Sequence, residues 1–63
     1  MNNFDLAQII REAREIMNIS QRKLAELVGT NQTEISFIER GFIPSEEKID
    51  AIYKLYIKSK KGE

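Results

Sequence analysis

The segment that most constrains the fold is residues 21–40, where two short apolar patterns are separated by the link Gly29-Thr30-Asn31. In both patterns the aliphatic residues recur at intervals of three or four, which places them on one face of a helix. Glycine adopts a positive φ without a Cβ clash, so Gly29 predicts an abrupt end to the first helix. Ala25 is small enough to lie where two short helices cross closely. The apolar wedge behind this predicted helix pair comprises Leu24, Val28, Ile35 and Ile38.

The same helical spacing continues on both sides of this pair. It predicts a first helix over residues 4–17, a second over 21–28 capped by Ser20, and a third over 32–40 capped by Asn31. No stretch shows the alternation typical of a strand. The predicted fold is therefore all-α, a compact bundle of four short helices, or five if the last one bends.

The fourth helix is expected after Pro44, which prevents the third from continuing. Ser45 is its expected cap, and an apolar stripe carries the helical pattern to about residue 58. Residues 59–63 read as a frayed basic tail. These boundaries predict one domain over residues 1–63 with its core in residues 4–58.

Composition narrows the range of functions. Sixty-three residues can bury only about 60% of the surface that the unfolded chain exposes. Cysteine and histidine are absent, which excludes disulfides, thiolate zinc sites, thiol nucleophiles and imidazole bases. We expect no cofactor and no bound metal. Ten Lys and Arg balance ten Asp and Glu, so the net charge gives no support for a polyanionic partner.

The pattern of hydrophobic residues predicts no association with a membrane. No apolar run approaches the roughly 20 residues that a membrane-spanning helix needs. The amino terminus MNNFDLAQ lacks the basic-then-apolar layout of a secretory signal. The expected location is the cytoplasm.

The segment "SQRKLAELVGTNQTEISFIERG" resembles the helix-turn-helix of the lambda-repressor-like, Cro-type (XRE) family of bacterial and phage regulators. Its Ser-Gln, Leu-Ala, Gly, Ile-Ser and Ile-Glu-Arg-Gly have the spacing of that family. The similarity extends into "IREAREIMNIS" and "PSEEKIDAIYKL", so it covers about residues 6–56. It implies a DNA-binding domain whose third helix enters the major groove.

The resemblance implies base contacts from the outer face of the third helix. The amide of Gln32 suits a bidentate pair with adenine, and the ring of Phe37 suits a thymine methyl group. Alternatively, Phe37 turns into the core or joins a protein interface. Thr33 and Ser36 are expected either to contact DNA or to be ordinary exposed polar residues.

The resemblance also implies contacts to the DNA backbone and one structural ion pair. In the family, the glutamine that begins the second helix touches a phosphate and braces the first base-reading residue. The expected backbone contacts are Gln21, Arg22, Lys23, Thr30, Asn31 and Arg40. Arg14 and Glu39 stand where the family has a partly buried ion pair between the first and third helices.

The sequence departs from the family pattern in the loop after the third helix. This loop is "FIP", which is shorter than usual and apolar instead of basic, so fewer phosphate contacts are expected. Phe42 and Ile43 are expected to cap the core or to meet a second subunit. If the fourth helix supplies the dimer contact usually made by a fifth, Tyr53, Tyr56 and Ile57 are its candidate residues; otherwise the chain is a fragment of a longer regulator. Glu34 is unusual so near phosphates, and is expected to accept from cytosine or to complete the cap at Asn31.

These features predict a sequence-specific, repressor-like transcriptional regulator that binds double-stranded DNA as a homodimer on a palindromic operator. The alternative is a protein-interaction module of antitoxin or co-regulator type that uses Phe37 and Phe42 as anchors. An enzyme has little support, because Glu46, Glu47 and Asp50 are better explained as charges that favour the start of a helix.

Overall fold

Four α-helices form the structure, a computed structural model that describes residues 5–61. Within that range no strand and no fifth helix occurs. The all-α prediction with four helices is therefore confirmed. The helices are α1 (Leu6–Met17), α2 (Gln21–Val28), α3 (Gln32–Glu39) and α4 (Glu46–Lys60).

Each of the first three helices is preceded by a capping residue. The side-chain oxygen of this residue accepts a hydrogen bond from a backbone N–H of the first helical turn that would otherwise have no partner. Asp5 accepts from Gln8 at 3.2 Å, Ser20 from Lys23 at 3.0 Å and Asn31 from Glu34 at 2.8 Å. Because Asp5 is the cap, α1 begins two residues later than predicted; Phe4 lies outside the described residues. Ser45 precedes α4 in extended conformation, as expected for an N-cap, but its side chain makes no capping hydrogen bond.

The link between α2 and α3 depends on one glycine. Gly29 has φ +80°, and the Thr30 N–H donates to the Ala25 carbonyl at 2.8 Å, so α2 ends at once and the chain turns. Asn18 ends α1 in the same left-handed region, with φ 59°, and is the only non-glycine residue of the described chain with positive φ. Both turns leave room for a new helix within three residues.

One apolar cluster holds the four helices together. Its fully buried side chains come from every helix and are Ile10, Leu24, Ile35, Ile38 and Ile52. Ala25 is also buried. The predicted wedge of four aliphatic residues lies wholly in this cluster.

The carboxyl end of α4 differs from the predicted frayed tail. The helix continues to Lys60, and Ser59 is buried, its hydroxyl donating to the Tyr56 carbonyl at 2.6 Å. The Tyr56 hydroxyl donates to the Glu12 carboxylate at 3.1 Å, and Lys60 lies 3.6 Å from the same carboxylate. Contacts with α1 therefore extend the helix two residues beyond its predicted end. Residues 62 and 63 lie outside the described chain.

Candidate nucleic-acid interface

One face of α3 is anchored in the core and the opposite face is open to solvent. Ile35 and Ile38 are buried, whereas Gln32, Thr33 and Phe37 are exposed. The Phe37 side chain is 48% exposed, so it does not turn into the core. Ser36 is half-buried between these two faces. A short helix with this orientation presents polar side chains and one aromatic ring to whatever the domain binds.

A hydrogen-bonded network fixes the amino end of this open face. The Glu39 carboxylate, only 11% exposed, accepts from Arg14 Nη1 at 2.7 Å and from Gln21 Nε2 at 3.1 Å. A carboxylate only accepts, so Gln21 must present its NH₂ group to Glu39 and its Oε1 outward. That Oε1 accepts from Gln32 Nε2 at 3.4 Å. The network therefore links α1, α2 and α3 and ends at the first residue of α3.

Arg11 adds a contact to this network that the sequence analysis did not identify. Its Nη2 donates to the backbone carbonyl of Glu39, at the carboxyl end of α3. A cation at that position also complements the helix dipole. The signal available in the sequence was the spacing, because Arg11 lies one helical turn before Arg14 on the same face of α1.

Several of the expected DNA-contacting side chains line one shallow concavity, although Arg22, Lys23 and Phe37 do not. Its walls are formed by Gln21, Gln32, Thr33, Ser36 and Arg40. Arg40 follows α3 but turns back along it: Nη2 donates to Ser36 Oγ at 3.1 Å and Nε to the Ser36 carbonyl at 3.5 Å. Its guanidinium carbon lies 5.4 Å from the centre of the Phe37 ring.

The remaining residues with expected backbone contacts differ in whether their polar groups already have a partner in the domain. Arg22 is exposed and has no acidic partner within ion-pair distance in residues 5–61. Lys23 is exposed and lies 3.8 Å from Glu26. Asn31 uses its oxygen as the α3 cap, which leaves its NH₂ group available as a donor.

Thr30 and Glu34 interact with each other instead of remaining open to solvent. The Thr30 hydroxyl donates to the Glu34 carboxylate, so the expected donation from Thr30 to a phosphate would require this bond to break. The same carboxylate lies 3.1 Å from the Lys48 ammonium in α4. Glu34 thus joins the α2–α3 turn to α4, a role that neither expected assignment included. The Thr30 hydrogen bond first, and then Lys48, lower the pKa of Glu34 below its ordinary value.

The candidate dimer residues lie on two parts of the surface. Phe42 and Ile43 are 49% and 59% exposed and line a groove with Leu6, Ala7 and Ile38. In that loop Pro44 is the buried residue. In α4, Tyr56 is half-buried and contacts Glu12, whereas Ile57 and, to a smaller degree, Tyr53 are exposed.

The described residues hold neither a metal-binding cluster nor a membrane-spanning helix. No three Asp or Glu side chains in residues 5–61 converge as metal ligands would. None of the four helices combines the length and the apolar content needed to cross a bilayer.

The geometry of α2, the Gly29 turn and an outward-facing α3 defines a helix-turn-helix protein. Residues 10–59 match the helix-turn-helix family of lambda-repressor-like domains, and the chain belongs to that family. This membership supports a DNA-binding function of the transcription-regulator type. Comparison with curated proteins and with solved structures gives no significant match.

Glutamine in place of Glu39 keeps the size of the side chain but removes its charge. It should therefore weaken the hydrogen bonds to Arg14 and Gln21. Hydrogen bonds to charged groups contribute about 1.5–3 kcal/mol, so we expect Glu39→Gln to lower the free energy of unfolding by that amount. Arg14 keeps partial access to water, with 28% of its side chain exposed, so the loss should fall short of the ~3–5 kcal/mol of a fully buried pair. Urea denaturation measures the difference.

Asp50→Asn is the matched control for this substitution. Asp50 pairs with Lys54 at 3.1 Å, but both side chains are mostly exposed, so the expected change is within about 0.5 kcal/mol. Equal effects of the two substitutions would contradict the role assigned to Glu39.

Glu34 should give a pH-dependent contribution to stability. Its pKa is lowered in the folded state, so its contribution is present above the unfolded pKa, about 4.3, and is lost as the pH falls through the folded value. We expect Glu34→Gln to be less stable than the parent protein at pH 7, with a gap that closes in acid. Urea denaturation between pH 7 and pH 3 measures it. A pH-independent gap for Glu34→Gln would refute the assignment.

Proposed function

We propose that the protein is a sequence-specific transcriptional regulator of the repressor type that inserts α3 into the DNA major groove. The observation that carries this proposal is the outward face of α3, fixed at its first residue by the network of Glu39, Gln21 and Gln32. Base-reading helices of this class contact base edges with their amino-terminal residues. Such a role implies a location with the chromosome, in the bacterial cytoplasm.

The hydrogen bonds of Gln32 support its role as an adenine reader. One N–H of its amide is directed to Gln21, which leaves the second N–H and Oε1. Adenine offers the complementary pair in the major groove, an N6 donor and an N7 acceptor. The bond to Gln21 therefore orients the amide without using the two groups that recognition needs.

The local charges also support DNA as the partner despite zero net charge. Glu39 and Glu34, the acidic groups nearest the α3 surface, are each paired with a cation from another helix. Arg22 and Arg40 have no acidic partner within ion-pair distance in residues 5–61, and Lys23 is exposed with Glu26 3.8 Å away. Phosphate contacts from Arg22 and Lys23 would fix the position of the protein on the duplex without reading sequence.

A two-fold dimer is the assembly that we propose on DNA. Members of this structural class bind half-sites about 34–36 Å apart, and the two-fold symmetry of the protein makes the operator palindromic. Exposed apolar residues outside the α3 surface suit such a contact; they are Phe42, Ile43 and Ile57, with the partly exposed Tyr53 and Tyr56 beside them.

A protein-interaction module is the second candidate, and one observation favours it. The rings of Phe37 and Phe42 meet edge to face with their centres 6.5 Å apart, and both are about half exposed. With Ile43 they form an exposed apolar surface, a feature typical of protein-binding sites. Such a module would bind a protein partner and would show no preference among DNA sequences.

Selection from a random-duplex pool, followed by fluorescence-anisotropy titration, tests the first candidate. We expect Gln32→Ala to lose about 1–3 kcal/mol of discrimination at one base pair and to keep the other preferences. Arg22→Ala, the matched backbone variant, should weaken binding to all duplexes alike and reduce the salt slope by about 0.9, because one phosphate contact is lost. A pool that enriches no sequence would favour the interaction module, and indistinguishable variants would contradict the assigned roles.

A further inference from the structure

We propose that Arg40 reads a guanine base, beside a thymine whose methyl group packs on Phe37. This inference rests on the proposed DNA-binding function and makes its target more specific. It replaces the backbone contact that the sequence alone indicates for Arg40.

The first observation is which of the guanidinium donors are already used. Nε and Nη2 lie on one edge of the guanidinium, and both donate to Ser36, one helical turn earlier. The end of the guanidinium then keeps two parallel N–H groups, one from Nη1 and one from Nη2, because its donors have a fixed fork geometry. Ser36 therefore orients the fork and leaves its far end open.

The second observation is the aromatic ring beneath the guanidinium. Arg40 lies 5.4 Å from the centre of the Phe37 ring, within the range of a cation–π contact. The ring and the two hydrogen bonds restrain a side chain that would otherwise lose rotamer freedom on binding. Phe37 is itself held by the edge-to-face contact with Phe42.

The third observation is the direction of the restrained side chain. Arg40 turns back along α3 into the concavity that it shares with Gln32 and Thr33, instead of extending beyond the helix end. It therefore lies with the expected base readers on the groove-facing side of α3. In the major groove, guanine presents O6 and N7 as two parallel acceptors, which match an arginine fork.

The position of Phe37 identifies the neighbouring base. Its exposed ring adjoins the guanidinium, so a base next to the guanine would contact it. Thymine is the base that offers a methyl group in the major groove. The bonds to Ser36 hold the guanidinium four residues beyond Gln32, about 6 Å along the helix, or roughly two base pairs. We therefore expect a guanine with a neighbouring thymine about two base pairs from the adenine read by Gln32.

The proposal is tested by placing base analogues in the duplex that the unsubstituted (parent) protein enriches from the random pool and measuring the affinity of the parent protein and its variants. A bidentate arginine–guanine contact corresponds to about a 5- to 150-fold preference for guanine. Replacing that guanine with 7-deazaguanine removes N7 and should weaken parent binding. Binding by Arg40→Met, whose side chain is unbranched and has no hydrogen-bond donor, should be insensitive to this change. Replacing the thymine with deoxyuridine removes one methyl group and should weaken parent binding about fourfold, but not binding by Phe37→Ser, which has no apolar group to pack on it.

Two further variants separate base reading from other roles. Ser36→Ala removes the side-chain brace and should reduce the guanine preference while retaining part of it. Gln32→Ala should keep the guanine preference and lose the adenine preference. Circular dichroism and thermal unfolding of each variant verify that the fold is retained.

Three outcomes would contradict the proposal, and they differ in whether the proposed DNA-binding function also fails. If Arg40→Met weakens binding to all duplexes alike and keeps the parent preference at every position, Arg40 contacts the backbone and the proposal fails while the DNA-binding function stands. If the selected duplex contains no guanine whose N7 matters, the proposal fails in the same way. If the pool enriches no sequence with the folded parent protein, the proposed function fails and the guanine assignment fails with it.

Discussion

The geometry of the candidate site depends on the hydrogen bonds of one partly buried carboxylate, that of Glu39. It lies near the end of α3 and binds Arg14 of α1 and Gln21 of α2, so one group fixes the mutual position of three helices. Apolar packing alone specifies such positions less strictly, because aliphatic contacts are not directional. Two directional hydrogen bonds to a charged acceptor supply the missing constraint, and Gln21 carries it to Gln32 at the surface.

The orientation of α3 follows from the turn before it and the core behind it. Gly29 ends α2 within one residue, Asn31 starts α3, and the two buried isoleucines of α3 decide which face remains outside. Lys48 then draws Glu34 towards α4, away from the open face. The net charge of zero therefore conceals a local asymmetry: the two carboxylates of α3, Glu34 and Glu39, are paired with cations, whereas Arg22 and Arg40 have no acidic partner in residues 5–61.

The sequence predicted the parts of this structure that depend on local rules. Helical spacing and the capping residues Ser20 and Asn31 fixed the bounds of α2 to the residue and the start of α3. What it missed depends on contacts between elements distant in the chain. The two additional residues of α4 depend on contacts with α1, made by Tyr56 and Lys60 with Glu12, and the ion pair between Glu34 and Lys48 requires α4 beside the α2–α3 turn. The return of Arg40 onto Ser36 is local, but a flexible side chain has many rotamers, and the spacing of residues does not select one.

The central claim is that the outer face of α3, with the start of α2, is the surface that binds DNA. Titration of the ¹⁵N-labelled protein with duplex DNA at low salt, followed by amide chemical shifts, tests it most directly. The account predicts the largest shifts in residues 21–23 and 30–37 and at Arg40, with small shifts along the outer side of α4. Shifts confined to Phe42, Ile43 and the exposed residues of α4, or the absence of any shift, would contradict it.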